Sequence, residues 1–165
     1  MRSRIVAVIQ ARCSSERLPR KVLLPLAGQP VVTHVVNAVR SASLIDDVVL
    51  ATSDSAADDE LAGIVGTMGV RVYRGSEHDV LGRFVGALER DPADIVVRHV
   101  ADAPLVDPVV IDTVIGHYLK GDCDYATNFI ERSWPRGTES EVMSRHALER
   151  AQRETAHHED REHVT

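Results

Sequence analysis

A chain of 165 residues suits one globular domain rather than two, since domains typically run ~100–200 residues. With 44% hydrophobic and 27% charged residues it is too apolar for a disordered chain and too interrupted for a membrane span, and aromatics at 4% leave an aliphatic core of Val, Ile, Leu and Ala. The 19 basic and 25 acidic residues give a net charge of −6, which argues against bulk attraction to a nucleic-acid backbone.

That average conceals a segregation. Over residues 1–21, Arg2, Arg4, Arg12, Arg17, Arg20 and Lys21 stand against Glu16 alone, a local charge of +5 that leaves −11 on the remainder. Such a distribution favours a small anionic ligand near the N-terminus. Cys13 and Cys123 lie far apart without a CxxC or Cys/His metal spacing, so neither a disulfide framework nor a zinc site is supported, and reduced thiols in the cytoplasm are expected. The apolar run after Met1-Arg2-Ser3-Arg4 stops at Gln10, short of the ~7–15 apolar residues of a signal core. No stretch approaches the ~18 apolar residues of a transmembrane helix.

In chain order, residues 5–9 form an unbroken aliphatic run rich in β-branched side chains, the pattern of a strand covered on both faces. Similar runs recur at 48–51, 70–73 and 95–97, with a weaker one at 125–127. A first helix is expected from Gly28-Gln29-Pro30, with Val31, Val32, Val35, Val36 and Val39 buried. A second is expected over 57–68, stopped by Gly69, with Leu61, Ile64, Val65 and Met68 on one face. There Asp58, Asp59 and Glu60 read most simply as helix-dipole partners. A third covers 79–90. A fourth opens at Asp107-Pro108, an N-cap carboxylate followed by Pro, with Ile111, Val114, Ile115, Tyr118 and Leu119 inward. Residues 149–165 read as a mixed-charge segment without a stop signal.

Alternating strands and helices at this spacing predict an α/β fold, a three-layer α/β/α sandwich with a mostly parallel sheet. Such sheets bind ligands beyond the carboxyl ends of their strands, which directs attention to the loops after Gln10, Ser53 and His99. The first of these, Gln10-Ala11-Arg12-Cys13-Ser14-Ser15-Glu16-Arg17-Leu18-Pro19-Arg20-Lys21, carries four cations and two hydroxyls. Arginine grips phosphate oxygens through paired N–H donors and lysine adds a compact charge, so the loop suits a polyphosphate. It is neither a GxxxxGK[ST] loop nor a GxGxxG loop. The competing reading is a solvated basic loop, against which its position after a buried strand weighs. Asp102, beyond the strand at 95–97, faces the same crevice and has the chemistry of a magnesium ligand, since that ion favours one or two carboxylates plus phosphate oxygens. The competing role is a turn cap. His157, His158 and His163 lack a partnered metal spacing, and Cys13 lacks the partners of a nucleophile.

The loop, followed by Leu24-Pro25-Leu26-Ala27-Gly28-Gln29-Pro30, resembles the signature of the cytidylyltransferases that activate sugar acids. It is most similar to the branch named for spore coat polysaccharide biosynthesis protein F, related to CMP-Kdo synthetase and acylneuraminate cytidylyltransferase. The resemblance continues through Val49-Leu-Ala-Thr-Ser-Asp54, Arg74-Gly-Ser-Glu-His-Asp-Val-Leu-Gly-Arg83 and Val97-Arg-His-Val-Ala-Asp-Ala-Pro-Leu-Val-Asp-Pro108, and reaches Arg161-Glu-His-Val-Thr165.

The resemblance implies a Rossmann-like nucleotidyltransferase domain over 1–165, lacking the C-terminal segment that such chains usually continue into. It implies Mg2+-dependent transfer of CMP from CTP to an acidic sugar with release of pyrophosphate, in surface polysaccharide or glycoconjugate biosynthesis, by a homodimer with no nucleic-acid or membrane partner. By it, Ala11 and Arg12 lie along the nucleotide, Arg12, Arg17 and Lys21 contact phosphates, Ser14 and Ser15 donate hydrogen bonds, Arg83 sits near the nucleotide, and Asp102 holds the metal. Glu139 and Glu141 stand where the family commonly has an Asp-x-Glu pair and imply acceptor binding; Arg20 replaces a usual Gly, altering the turn or adding a phosphate contact. Two alternatives stay open: a noncatalytic or truncated nucleotide-binding module, and a transferase using another nucleoside triphosphate.

Overall fold

In the computed structural model, which describes residues 2–90, 92–130 and 134–165, strands and helices alternate. In chain order they are β1 (Ile5–Gln10), β2 (Pro25–Leu26), β3 (Gln29–Pro30), α1 (Val31–Arg40), β4 (Asp47–Ser53), α2 (Asp59–Thr67), β5 (Arg71–Gly75), α3 (Val80–Glu89), β6 (Ile95–Val100), α4 (Pro108–Lys120), β7 (Tyr125–Thr127), β8 (Glu141–Ser144), α5 (Arg145–Glu154) and α6 (His158–His163). The six-stranded sheet has the order β5-β4-β1-β6-β8-β7. The first four strands in that order run parallel, and β8 joins β6 antiparallel through Val96 opposite Met143 and Val97 opposite Val142.

The sheet separates two aliphatic cores because successive strand residues point to opposite faces. Ile5, Ala7 and Ile9 of β1 pack with Val32, Val35, Val36 and Val39 of α1, Leu61 and Val65 of α2, and Ile111, Val114 and Ile115 of α4. Val6 and Val8 pack on the other side with Leu81, Phe84 and Leu88 of α3 and Leu148 of α5. The three layers are therefore α1, α2 and α4, the sheet, and α3 with α5, as the strand and helix patterns predict. The N-cap of α4 is built as the sequence implies, the Asp107 carboxylate accepting from the N–H groups of Val109 and Val110; Asp79 caps α3 in the same way, accepting from Gly82 N–H.

Four expectations are corrected. The first helix starts at Val31, because residues 25–30 form a tight hairpin whose central Ala27 and Gly28 both take positive φ, 49° and 84°. That pair of left-handed residues is what a two-residue hairpin of matching twist requires. Leu119, placed inward by its spacing, is half exposed. Strand β8 was not expected, since Val142 and Met143 are its sole apolar residues and pairing with a neighbour, not its own pattern, makes it a strand. The charged tail is also structured: its α5 buries Leu148, and α6 lies against α3.

Candidate active site

The loop after β1 is anchored from inside. Cys13 and Val22 sit in the core under α1, and the loop closes on itself where Arg20 N–H donates to the Cys13 carbonyl at 2.8 Å. Behind it lies Asp58, only 1% exposed, whose carboxylate accepts from Cys13 N–H at 2.7 Å, from Ser53 N–H at 3.1 Å and from the hydroxyls of Thr52 and Ser53. Burial alone would raise its pKa, yet hydrogen bonds from Ser53, Cys13 and Thr52 prevail and hold it below the ordinary value. This corrects the dipole reading of Asp58: it precedes the first turn of α2, makes no cap hydrogen bond there, and ties the loop to the end of β4. The signal was present in the spacing, because Asp58 leads Leu61 and Val65 at i, i+3 and i+7 and so continues the buried stripe. Cys13 is correspondingly inert, its thiol pushed up to about 12 by burial and then by Asp58.

In front of the loop opens a cleft of about 560 Å³, bounded by residues from the ends of β1 and β6, the start of α3 and the C-terminal part of α6. Ala11, Arg12, Ser15, Arg17, Lys21, Arg83 and Asp102 all line it. Lys21 and Asp102, 81 positions apart by their numbers, form an ion pair across it. Two backbone bonds place these walls: Ala101 N–H donates to the Gln10 carbonyl at 3.0 Å, fixing the start of the Asp102 turn beside the loop, and Ala11 N–H donates to the Ala51 carbonyl at 3.2 Å.

Arg83 lines the cleft from the first turn of α3. It is 2% exposed, donates to the carbonyls of Ser76 at 2.6 Å and Glu77 at 2.9 Å, and its Nε has no partner. Burial, and then the charge of Arg12, push its pKa down. A desolvated guanidinium whose hydrogen bonds go only to carbonyls has donor capacity left for an anion.

Other candidates lie elsewhere. Ser14 is exposed and is not among the cleft-lining residues. Arg20, at φ 57°, turns away to an exposed ion pair with Glu60 at 2.5 Å. Glu139 accepts from Gly137 N–H at 2.6 Å, and Glu141 is engaged by Arg98, the Tyr125 hydroxyl at 3.0 Å and Thr165; neither lines the cleft. Two lining residues that sequence reasoning did not select are Glu162 and His163 of α6, with Glu162 bonded to Arg12 at 2.8 Å.

A cationic loop and a carboxylate meet beyond the carboxyl ends of β1 and β6, the place where mainly parallel α/β sheets offer a ligand crevice. The chain belongs to the cytidylyltransferase family, whose profile, described as Cytidylyltransferase, matches residues 6–165. It is 39% identical over 125 residues to the spore coat polysaccharide biosynthesis protein SpsF of Bacillus subtilis, covering 73% of this chain and 52% of that protein. It is 38% identical over 113 residues to a 3-deoxy-manno-octulosonate cytidylyltransferase of Geobacter sulfurreducens, covering 67% and 44%. The chain thus spans about half the length of these curated relatives. A cytidylyltransferase structure from Leptospira borgpetersenii superposes with a TM-score of 0.93 at 28% identity, covering 99% of this chain and 69% of that one.

Proposed function

We propose that the cleft transfers a cytidylyl group from CTP to a hydroxyl of an acidic sugar. The acceptor oxygen bonds to the α-phosphorus, the α–β phosphoanhydride bond breaks, and pyrophosphate leaves as the hydroxyl proton passes to solvent. The observation that carries the reading is the meeting of Lys21 and Asp102 in one cleft. Arg12, Arg17 and Lys21 hold the triphosphate tail and offset the charge that grows on the leaving pyrophosphate, and Arg83 receives an anionic oxygen. Ala11 supplies a close backbone wall and Ser15 a hydroxyl. No covalent intermediate on the enzyme is required, so catalysis is positioning and charge neutralisation.

The donor set fits a magnesium ion that arrives with the nucleotide. Asp102 reaches the cleft from a strand end, while among the described residues no group of three His, Cys, Asp or Glu side chains stands ready to hold a metal unaided. Phosphate oxygens would complete the coordination shell, as hard divalent ions prefer. When bound, such an ion polarises the phosphoryl oxygens. Asp102 would hold such an ion, with Lys21 then meeting the phosphates instead of the carboxylate.

The same incomplete carboxylate set favours one second reading, a module that binds nucleotide without turning it over. Calorimetry with CTP and Mg2+ beside a pyrophosphate-release screen over CTP, GTP, UTP and dTTP with a panel of acidic sugars separates the two. Release with CTP and an acidic sugar supports transfer; binding without release supports the module. Release with another nucleotide reassigns the base. Among the described residues no helix is long and apolar enough to cross a membrane. Our reading of the transferase is a cytoplasmic homodimer whose nucleotidyltransferase domain spans residues 1–165 and lacks the C-terminal segment usual in the family.

A further inference from the structure

Residues 161–165 take no part in the chemistry above, yet four of the five are fastened. Arg161 bonds to Asp79, the N-cap of α3, at 2.6 Å. Thr165 meets Glu141 and Arg98 at the β6–β8 edge. Val164 is 8% exposed in the core beneath α3 and takes φ 72°. A β-branched residue in the left-handed region is costly and persists only where its surroundings over-determine it. The result of this fastening is that Glu162 stands in the cleft with its carboxylate on Arg12 at 2.8 Å. Arg12 also holds the Glu162 carboxyl below its ordinary pKa, so the group is charged near neutral pH.

Two of the four cleft cations are therefore matched by the chain's own carboxylates, Arg12 by Glu162 and Lys21 by Asp102. Arg17 and Arg83 have no ion pair among the described residues. The Arg12–Glu162 pair is one-third exposed on both sides, 34% and 33%, so it is open to exchange with a ligand and is worth little by itself. A polyphosphate that takes Arg12 through the Nη2 edge displaces Glu162 and then lies beside a bared carboxylate.

We propose that Glu162 is the exchangeable counter-ion of Arg12: it competes with the phosphate tail for the guanidinium and so weakens the hold of the cleft on the leaving pyrophosphate. Tight binding of ground state and product alike does not speed turnover, whereas easy release of product does. This inference rests on the triphosphate reading of the cleft.

The test measures inorganic pyrophosphate affinity by calorimetry for the wild type, Glu162→Gln and Glu162→Ala, with thermal unfolding of each as a folding control. Both variants should bind about 3–10-fold more tightly at low ionic strength, a gain that shrinks as salt screens the competing charge. Product inhibition by pyrophosphate should strengthen in step. A merely structural role for Glu162 predicts the opposite sign, because loosening α6 would cost affinity. Equal or weaker binding in the folded variants overturns the exchange while leaving the triphosphate site standing. If the wild type binds neither pyrophosphate nor CTP, the triphosphate site itself falls, and the exchange with it.

Discussion

Asp58 and Asp102 face the same loop from opposite sides, one from behind and one from in front. Asp58 is sealed from solvent and accepts four hydrogen bonds from Cys13, Thr52 and Ser53. The Asp102 side chain is 35% exposed and is paired with the ammonium of Lys21. The first arrangement has no valence left for a ligand and serves to hold the loop in shape. The second is open to exchange, because an ion pair about one-third exposed contributes little by itself. The loop is thus rigid on the side that faces the core and exchangeable on the side that faces the cleft, as a preorganised binding site must be.

Removing the rear carboxylate is the harshest way to break this contrast. Asp58→Ala leaves buried donors on Cys13, Thr52 and Ser53 unmet, at about 1–3 kcal/mol for each group that finds no substitute, so a total loss of about 3–5 kcal/mol is expected in urea unfolding. The front carboxylate should behave otherwise. Lys21→Ala and Asp102→Ala should each slow pyrophosphate release by ~100-fold or more, which corresponds to about 3 kcal/mol of lost transition-state stabilisation, while Tm hardly moves. A Tm drop in Asp102→Ala as deep as that of Asp58→Ala would erase the distinction, and near-normal turnover in both front variants would remove the proposed chemistry.

A third polar group sharpens the comparison because it is buried without satisfaction. His99 of β6 is 3% exposed, and its Nε2 has no partner. Burial, then the charge of Arg98, lowers its pKa to about 4. In the unfolded chain a histidine titrates near ~6.5, so between these values the unfolded state binds more protons than the native one. Its contribution is full above about pH 6.5, falls as the solution is acidified, and by pH 4 amounts to a loss of about 3 kcal/mol. Stability measured by urea titration from pH 7 to pH 4 should therefore decline less steeply in His99→Leu than in the wild type. Parallel pH curves would show that His99 is not held neutral.

What could be read ahead was what is written locally. The aliphatic runs of β1, β4 and β6 and the Asp cap of α4 each carry their meaning within a few residues, and so does the placing of the cationic loop at the end of β1. What escaped depends on partners far along the chain. Glu162 meets Arg12 across 150 positions, and no feature of a mixed-charge tail marks which of its carboxylates turns inward. Strand β8 exists because β6 offers it an edge, and Asp58 differs from Asp59 and Glu60 through its place on the buried stripe rather than through its neighbours' charge. Resemblance carried the Glu139 and Glu141 readings to positions that the fold places outside the cleft lining.

Arg20 offers the gentlest test of the two-sided loop, since it belongs to neither side. Its φ of 57° is a conformation that glycine adopts freely and a side chain resists, and its guanidinium reaches outward to Glu60. An ion pair this exposed contributes little, and the added freedom of glycine in the unfolded chain offsets part of the relief. Arg20→Gly should accordingly raise Tm by about 2 °C and leave CTP affinity unchanged. A clear loss of CTP affinity in that variant would mean that Arg20 swings into the cleft when the triphosphate binds, adding a cation to the front of the loop.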